Sequence, residues 1–493
     1  MKRAIFFGAA LSLGVSALAA EQAEPPAVGL LNRVVAAAER GDCNAVLPLV
    51  AKLKTMREFA DVPALRLVTL HLSASCLHEL KQPSAAYDDA LAGSTLPDSD
   101  DYLWRLRLYY EVERKDWPAV VATIEALSNG RGATLNALPI SNLYTIDTQL
   151  KRAKLAALRQ RLLTVLAADS YWPDEPGATN EGFRYRNALA LQEAGDTKAA
   201  LDLVRGLTSP SLVVGLTLDP RFRAAFPAEY DIRATVERDL AAQRTAADRH
   251  PDAIGPLVRV ADDLRLLGRP REALATLDTI RAKVMGNAPL VDRDEQAIWW
   301  WDQIARAHHA DGDAPAAIAA LRSGRALSEH GSTNVSLTIN LANTQLVTGD
   351  PAAALATLAG FKTDDGSASP YGVMQMISVR GCARVRTGDQ SGADTDLAYA
   401  RAHEDDDPAT ATALLLCRGD QEGAAASLVA RLANPERRAR ALEELSTFDE
   451  PSTRLPPDPI RAAWTAVGQR PDVQAAAEKA GGVRRFAIQR SGF

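Results

Sequence analysis

Aromatic side chains are scarce in this 493-residue chain, with Phe, Tyr and Trp together making up 5% of it. Alternating runs of β-branched residues are scarce too, so the usual material of a sheet-based core is missing. Alanine and leucine dominate instead, and helices are expected nearly throughout. Excess positive charge is also lacking: 56 Lys and Arg stand against 62 Asp and Glu, which argues against a nucleic-acid partner. No G-x-x-x-x-G-K-[ST], G-x-S-x-G or H-E-x-x-H pattern occurs, which removes the commonest nucleotide, acyl-transfer and zinc chemistries. No catalytic residue, cofactor or metal ligand is therefore assigned. After the first twenty residues nothing approaches the ~20 apolar residues that a spanning helix needs, so no membrane span is expected.

Those first residues read as a signal peptide: basic Lys2 and Arg3, an apolar stretch from Ile5 to Val15, then Ala17-Leu18-Ala19. Cleavage after Ala19 or Ala20 leaves a chain with 54 basic and 62 acidic side chains, a formal charge of −8. Its destination is the periplasm if the host is a Gram-negative bacterium, and otherwise the outside of the cell. No Cys follows the cleavage site, which argues against a lipid anchor. The four cysteines fall as two local pairs, Cys43 with Cys76 and Cys382 with Cys417. An oxidising compartment favours two bridges, each joining neighbouring units. The alternatives are four buried thiols or a metal site, and the second lacks any Cys-x-x-Cys spacing.

The organising stretch is Trp301-x-x-Ile304-Ala305-x-x-His308, then Gly312, then Ala317-x-x-x-Leu321. Trp301, Ile304, Ala305 and His308 fall at i, i+3, i+4 and i+7, one face of a helix. Gly312 permits a turn, Asp313 and Pro315 open a second helix, and small Ala317 allows the two to approach closely. The spacing resembles the tetratricopeptide (TPR) signature, with Ala305 and His308 standing where Gly and Tyr are usual. Similar units turn at Gly268, with Ala273 after it, and at Gly349, with Ala354 after it. From Gly268 onward the turns are 44, 37, 39 and 31 residues apart, which brackets the family's ~34-residue period. About ten helix pairs can be counted in all.

The expected organisation is a signal peptide over 1–20, a linker over 21–27 and degenerate TPR-like repeats over 28–170. A middle region with loops follows over 171–250, then clearer repeats over 251–432 and capping helices with a tail over 433–493. Within these spans, 134–168 is expected to hold a helix pair without a signature, and 228–248 one long helix. Pro451 to Pro459 reads as a spacer, 460–480 as a terminal capping helix, and Val483 to Phe493 as a tail or short capping strand. The resemblance implies an all-α, right-handed α-solenoid whose concave face takes a protein or peptide partner.

Trp299-Trp300-Trp301 places Trp301 at a core position, and leaves Trp299 and Trp300 to choose between packing on the preceding repeat and anchoring a partner in the groove. His308-His309 offers no shared metal geometry, and His309 is expected to face solvent. The run His403 to Pro408 reads as an inter-repeat loop, with Asp407 capping the helix that Pro408 begins. Tyr371 to Met376 is similar to the G-L-M-Q motif of lytic transglycosylases, but the Glu-Ser that family needs upstream is missing. A non-catalytic scaffold is the first reading, and an envelope carbohydrate-active enzyme is the alternative.

Overall fold

The structure, a computed structural model, describes residues 25–450 and 459–490 other than Ala228, Asn287, His330, Asp364 and Asp365. The signal-peptide reading and nearly all of the 451–459 spacer lie outside the described residues. Two compact units meet at Asn129–Gly130.

The first unit holds three helix pairs. They are α1 Pro26–Glu39 with α2 Cys43–Lys54, then, after the short α3 Arg57–Asp61, α4 Pro63–Glu79 with α5 Pro83–Ser94, and α6 Asp101–Glu113 with α7 Trp117–Gly130. The second unit opens with the short α8 Gly132–Asn136, then pairs α9 Ile140–Arg152 with α10 Ala156–Leu166, and α11 Glu181–Glu193 with α12 Thr197–Val204. α13 Pro210–Leu218, a 3-10 turn at Pro220–Phe222 and α14 Ile232–Arg249 interrupt the pairing. It resumes with α15 Gly255–Leu266 and α16 Pro270–Asp278, the short α17 Arg281–Met285, then α18 Arg293–Ala310 and α19 Ala314–Arg325. Three more pairs follow: α20 Val335–Val347 with α21 Pro351–Leu358, α22 Pro370–Thr387 with α23 Gln390–Ala402, and α24 Pro408–Cys417 with α25 Gln421–Ala433. The chain ends with α26 Arg438–Leu445, β1 Thr447–Asp449, α27 Pro459–Gly468, α28 Pro471–Ala480 and β2 Arg485–Gln489.

One bend makes all ten pairs. The turn residue has positive φ each time: Gly41, Lys81, Lys115, Lys154, Gly195, Gly268, Gly312, Gly349, Gly388 and Gly419. The next residue's N–H then reaches back to the carbonyl five positions earlier, as Asp313 does to His308 at 2.8 Å and Asp389 to Arg384 at 2.9 Å. This left-handed cap satisfies a carbonyl that the ending helix would leave unpaired. At seven of the ten bends an Asp follows, and its carboxylate caps the second helix: Asp42, Asp116, Asp196, Asp313, Asp350, Asp389 and Asp420.

Five residues past the bend, the second helix buries a side chain against its partner. Ala86, Ala200, Ala273, Ala317, Ala354 and Ala424 are fully buried there, as are the slightly larger Val46 and Val120. The pair at Lys154 differs, with Arg159 at that offset, and it solves the contact with charge. Asp147, buried on α9, receives Arg159 Nε at 2.7 Å and Arg186 Nη1 at 2.5 Å. A buried carboxylate is tolerated only with such partners.

The second unit does not end as a free stack. A single apolar core runs through it from Ala188 to Ile488. Beyond the last pair, α26 packs on α13, and β2 packs on α14 and α15. β2 runs parallel to β1, with Phe448 opposite Phe486, and buries Phe486 and Ile488. Arg265 Nη1 donates to the carbonyl of Arg490, and Arg223 Nη2 to that of Gly481, both at 3.1 Å. The chain's end therefore returns to the place where pairing was interrupted.

Several expectations need correction. α1 starts at Pro26, inside the expected linker, because proline suits the first turn of a helix. The long middle helix begins at Ile232, where the Asp231 carboxylate accepts from Ala234 N–H. The 460–480 segment is two helices: Pro471 forces Arg470 into extended backbone and ends α27.

The two cysteine pairs are bonded in the structure, with Cα separations of 5.0 Å for Cys43–Cys76 and 5.3 Å for Cys382–Cys417. The first ties α2 to α4 and the second ties α22 to α24, so each crosses from one pair to the next. Loops of 33 and 35 residues correspond to about 3–4 kcal/mol each by chain entropy. Replacing Cys43 and Cys76 with alanine is predicted to lower unfolding free energy by about 2–4 kcal/mol in urea titrations. Ala317→Leu, which overfills a closed helix contact, should cost about 1–3 kcal/mol in the same assay.

Candidate functional site

In the second unit the first helix of each late pair faces inward. Arg265 of α15, His309 of α18, Asn343 of α20, Gln375 of α22 and Thr410 of α24 all line one cavity of about 1420 Å³. The returning C-terminal segment supplies the other wall, with Glu444, Phe448, Trp464 and Arg490 among its residues. Tyr371, also on the wall, is 56% exposed, so the cavity reaches solvent.

Charge of both signs is held in place there. Glu444 sits between Arg431, at 2.8 Å, and Arg440, at 3.3 Å. Burial raises its carboxyl pKa, and the two guanidinium groups oppose that rise. The two ion pairs hold the Glu444 carboxyl in one place on the cavity wall. Arg490 lies over the Phe448 ring and donates to the carbonyl of Ser446 at 3.0 Å. Burial pushes its pKa down, and nearby Arg461 and Arg440 add to that, offset by Glu443 and Glu444.

His309 corrects the sequence expectation, for it faces the cavity and not open solvent. Burial, then the neighbouring Arg265 and Arg306, push its pKa down to about 4. Adjacent positions of α18 point about 100° apart, so His308 and His309 face different sides of the helix. Repeat residues Ile304, Ala305, Ala317 and Leu321 form the buried seam between α18 and α19, and Trp301 is half-buried against it.

Of the two candidate anchors, Trp300 is wholly buried, and its indole N–H donates to the carbonyl of Leu277 on the preceding pair at 2.9 Å. Trp300 therefore takes the first of the two places open to it, packed on the preceding pair, and is not a partner anchor. Trp299 is 36% exposed and does not line the cavity. The Tyr371–Met376 stretch lies on α22, with Met374 and Met376 fully buried, and Gln375 Nε2 donates to Asp407 Oδ2 at 2.9 Å. Asp407 caps α24 through Ala409 N–H. Among the described residues no three His, Cys, Asp or Glu side chains converge as a metal site would require, and no helix is long and apolar enough to cross a membrane.

A second acidic group lies where the pairing is interrupted. Glu181 accepts from the N–H groups of Thr208 and Ser209, so it orients the start of α13. Asp239 is raised to about 6 by burial and by Glu181. Asp263, only 3% exposed, is raised to about 9 by burial, then by Asp239 and Asp262. A carboxyl whose folded pKa is raised keeps its proton in the folded state and loses it on unfolding. Stability from Asp263 is thus present below pH ~4 and declines as pH rises towards 9. Asp263→Asn is predicted to remove that decline, giving a melting temperature above the parent's at pH 8 and a smaller gap at pH 5; a gap independent of pH would contradict it.

The cavity itself was not legible beforehand. Its far wall comes from residues expected to cap or trail, and only the alternation of Phe486 and Ile488 with Arg485, small Ala487 and Gln489 hinted at a buried strand.

No protein-family model matches this chain, and no curated protein is significantly similar to it. Among solved structures it is similar to Naa15/Naa10 bound to HypK-THB, at 12% identity over 92% of this chain and 88% of that one, with a TM-score of 0.24. The APC/C hetero-tetramer Cut9-Hcn1 is 13% identical over 93% of this chain and 96% of that one, with a TM-score of 0.28. A circular tandem repeat protein is 13% identical over 92% of this chain and 96% of that one, with a TM-score of 0.13. Likenesses of this grade add nothing to the helix pairs themselves. On the evidence of those pairs, each unit is an all-α solenoid of degenerate TPR-like repeats.

Proposed function

We propose that this protein is an exported, non-catalytic adaptor that takes a segment of a protein partner into the inner cavity of its second unit. The observation that carries this is the convergence of five first helices and the C-terminal return on one cavity of about 1420 Å³. That is larger than the ~300–1000 Å³ typical of small-ligand sites. Its wall mixes aromatic Trp464 and Phe448, aliphatic Leu346 and Ile460, and charges of both signs, which suits a peptide segment better than a uniform polymer. A preformed cavity also avoids part of the ordering cost of binding.

Export rests on the leader-like first twenty residues and on two cysteine pairs at bonding distance. The periplasm is the compartment in a Gram-negative host, and envelope assembly or polymer export is the class of process that this compartment and fold suggest.

The test is affinity purification of the full chain from periplasmic extract, beside Trp464→Ala and Arg461→Glu variants. A stoichiometric protein partner retained by the parent and lost by both variants is the expected result. Turnover of purified peptidoglycan that disappears in Glu444→Gln would replace the adaptor with the enzyme reading.

A further inference from the structure

Two disulfides of nearly equal loop length sit in unlike surroundings. Cys43 and Cys76 are both buried, at 7% and 4% exposure, within the apolar core of the first pairs. Glu79 Oε2 lies 3.4 Å from Cys43 Sγ. A thiolate that approaches this bond has to enter the core and meets a carboxylate of its own sign. Cys382–Cys417 is asymmetric instead. Cys382, 3% exposed, lines the cavity, whereas Cys417 is only partly buried at the end of α24. Arg386 stands one turn past Cys382, and Arg418 directly follows Cys417, paired with Asp394 at 2.5 Å.

The second bond also closes one edge of the cavity wall. On α22, Tyr371, Gln375, Val379 and Cys382 fall at i, i+4, i+8 and i+11, and all four line the cavity. On α24, Thr410 and Ala413 line it, and Cys417 follows one turn later. Near their starts the two helices are tied by Gln375 to Asp407, and by Thr410 Oγ1, which donates to the carbonyl of Met374 at 3.3 Å. Further on, Gly381 packs so closely on Leu414 that a Cβ there would clash. Opening the bond leaves those contacts in place, frees the far ends of the helices from each other, and puts a thiol on the cavity wall.

We propose that Cys382–Cys417 is a thiol-exchange site, opened by a dithiol reductant ahead of Cys43–Cys76, so that its redox state sets how firmly this wall of the cavity is held. A thiolate of the reductant attacks the Cys417 sulfur, the more accessible of the two, and forms a mixed disulfide as the original S–S bond breaks. Cys382 leaves as a thiolate and takes up a proton. The second sulfur of the reductant then displaces Cys417. Two electrons and the two protons of the dithiol end on Cys382 and Cys417, and the reductant ends as a disulfide. This goes beyond the adaptor reading and needs no occupant in the cavity.

The test exposes the folded, oxidised full chain to graded dithiothreitol at about pH 8, quenches with N-ethylmaleimide and maps the labelled cysteines by mass spectrometry. Cys382 and Cys417 should be labelled together, at least tenfold faster than Cys43 and Cys76. Equal rates, the reverse order, or all four opening in one step would overturn the proposal, the last because it would mark global unfolding. Hydrogen exchange of the protein with Cys382 and Cys417 alone reduced reads the effect on the wall. Leu414 to Cys417 should lose protection while α4 keeps its own. Unchanged protection there would mean that the bond does not hold the wall, and would overturn the proposal equally. No partner enters either measurement, so both results stand whether or not the adaptor reading does.

Discussion

Phe486 and Ile488 have to be covered, and α14 and α15 are what cover them. A stack of helix pairs buries each apolar stripe only against its neighbours, so the last pair is left with one side bare. In the second unit the chain answers this by sending α26 to α28 over α25 and then placing β2 on helices more than two hundred residues earlier. The cavity follows from that placement. Residues of α26, β1 and α27, with Gln489 of β2, stand opposite the inner face of α15 to α24, and that face becomes one wall of a cavity.

The geometry that allows the helices to line up in this way is set at the bends. A residue with positive φ and a reach-back hydrogen bond recur from Gly41 to Gly419, with a buried small side chain five positions on at every bend but Lys154, although three of the bends use lysine. Lysine in that conformation costs on the order of 1 kcal/mol. All three lie before residue 160, among the repeats with the weakest signature, and the Cys43–Cys76 bond crosses from pair to pair in the same region.

Much of this was readable in the residues because it is local. Gly312, Asp313 and Ala317 act on neighbours a few positions away, and such spacing survives in the sequence as a pattern. The return of β2 could not be read, for Phe486 and Ile488 name no partner and their partners lie far back in the chain. His309 departs from its expected place for a related reason: a helical face shows which side chains share a side, but which neighbour covers that side is decided by the array, and the same array chooses between the two places open to Trp300.

Enclosure of the second unit's inner face by the chain's own end is the claim on which the functional reading turns. Hydrogen exchange of the backbone amides from Arg485 to Gln489 measures it directly in the unmodified protein. Protection comparable to the interior of α15 and α22 is the predicted result. Exchange at the rate of a free chain would mean that β2 is not docked, and the inner face would then be an open groove.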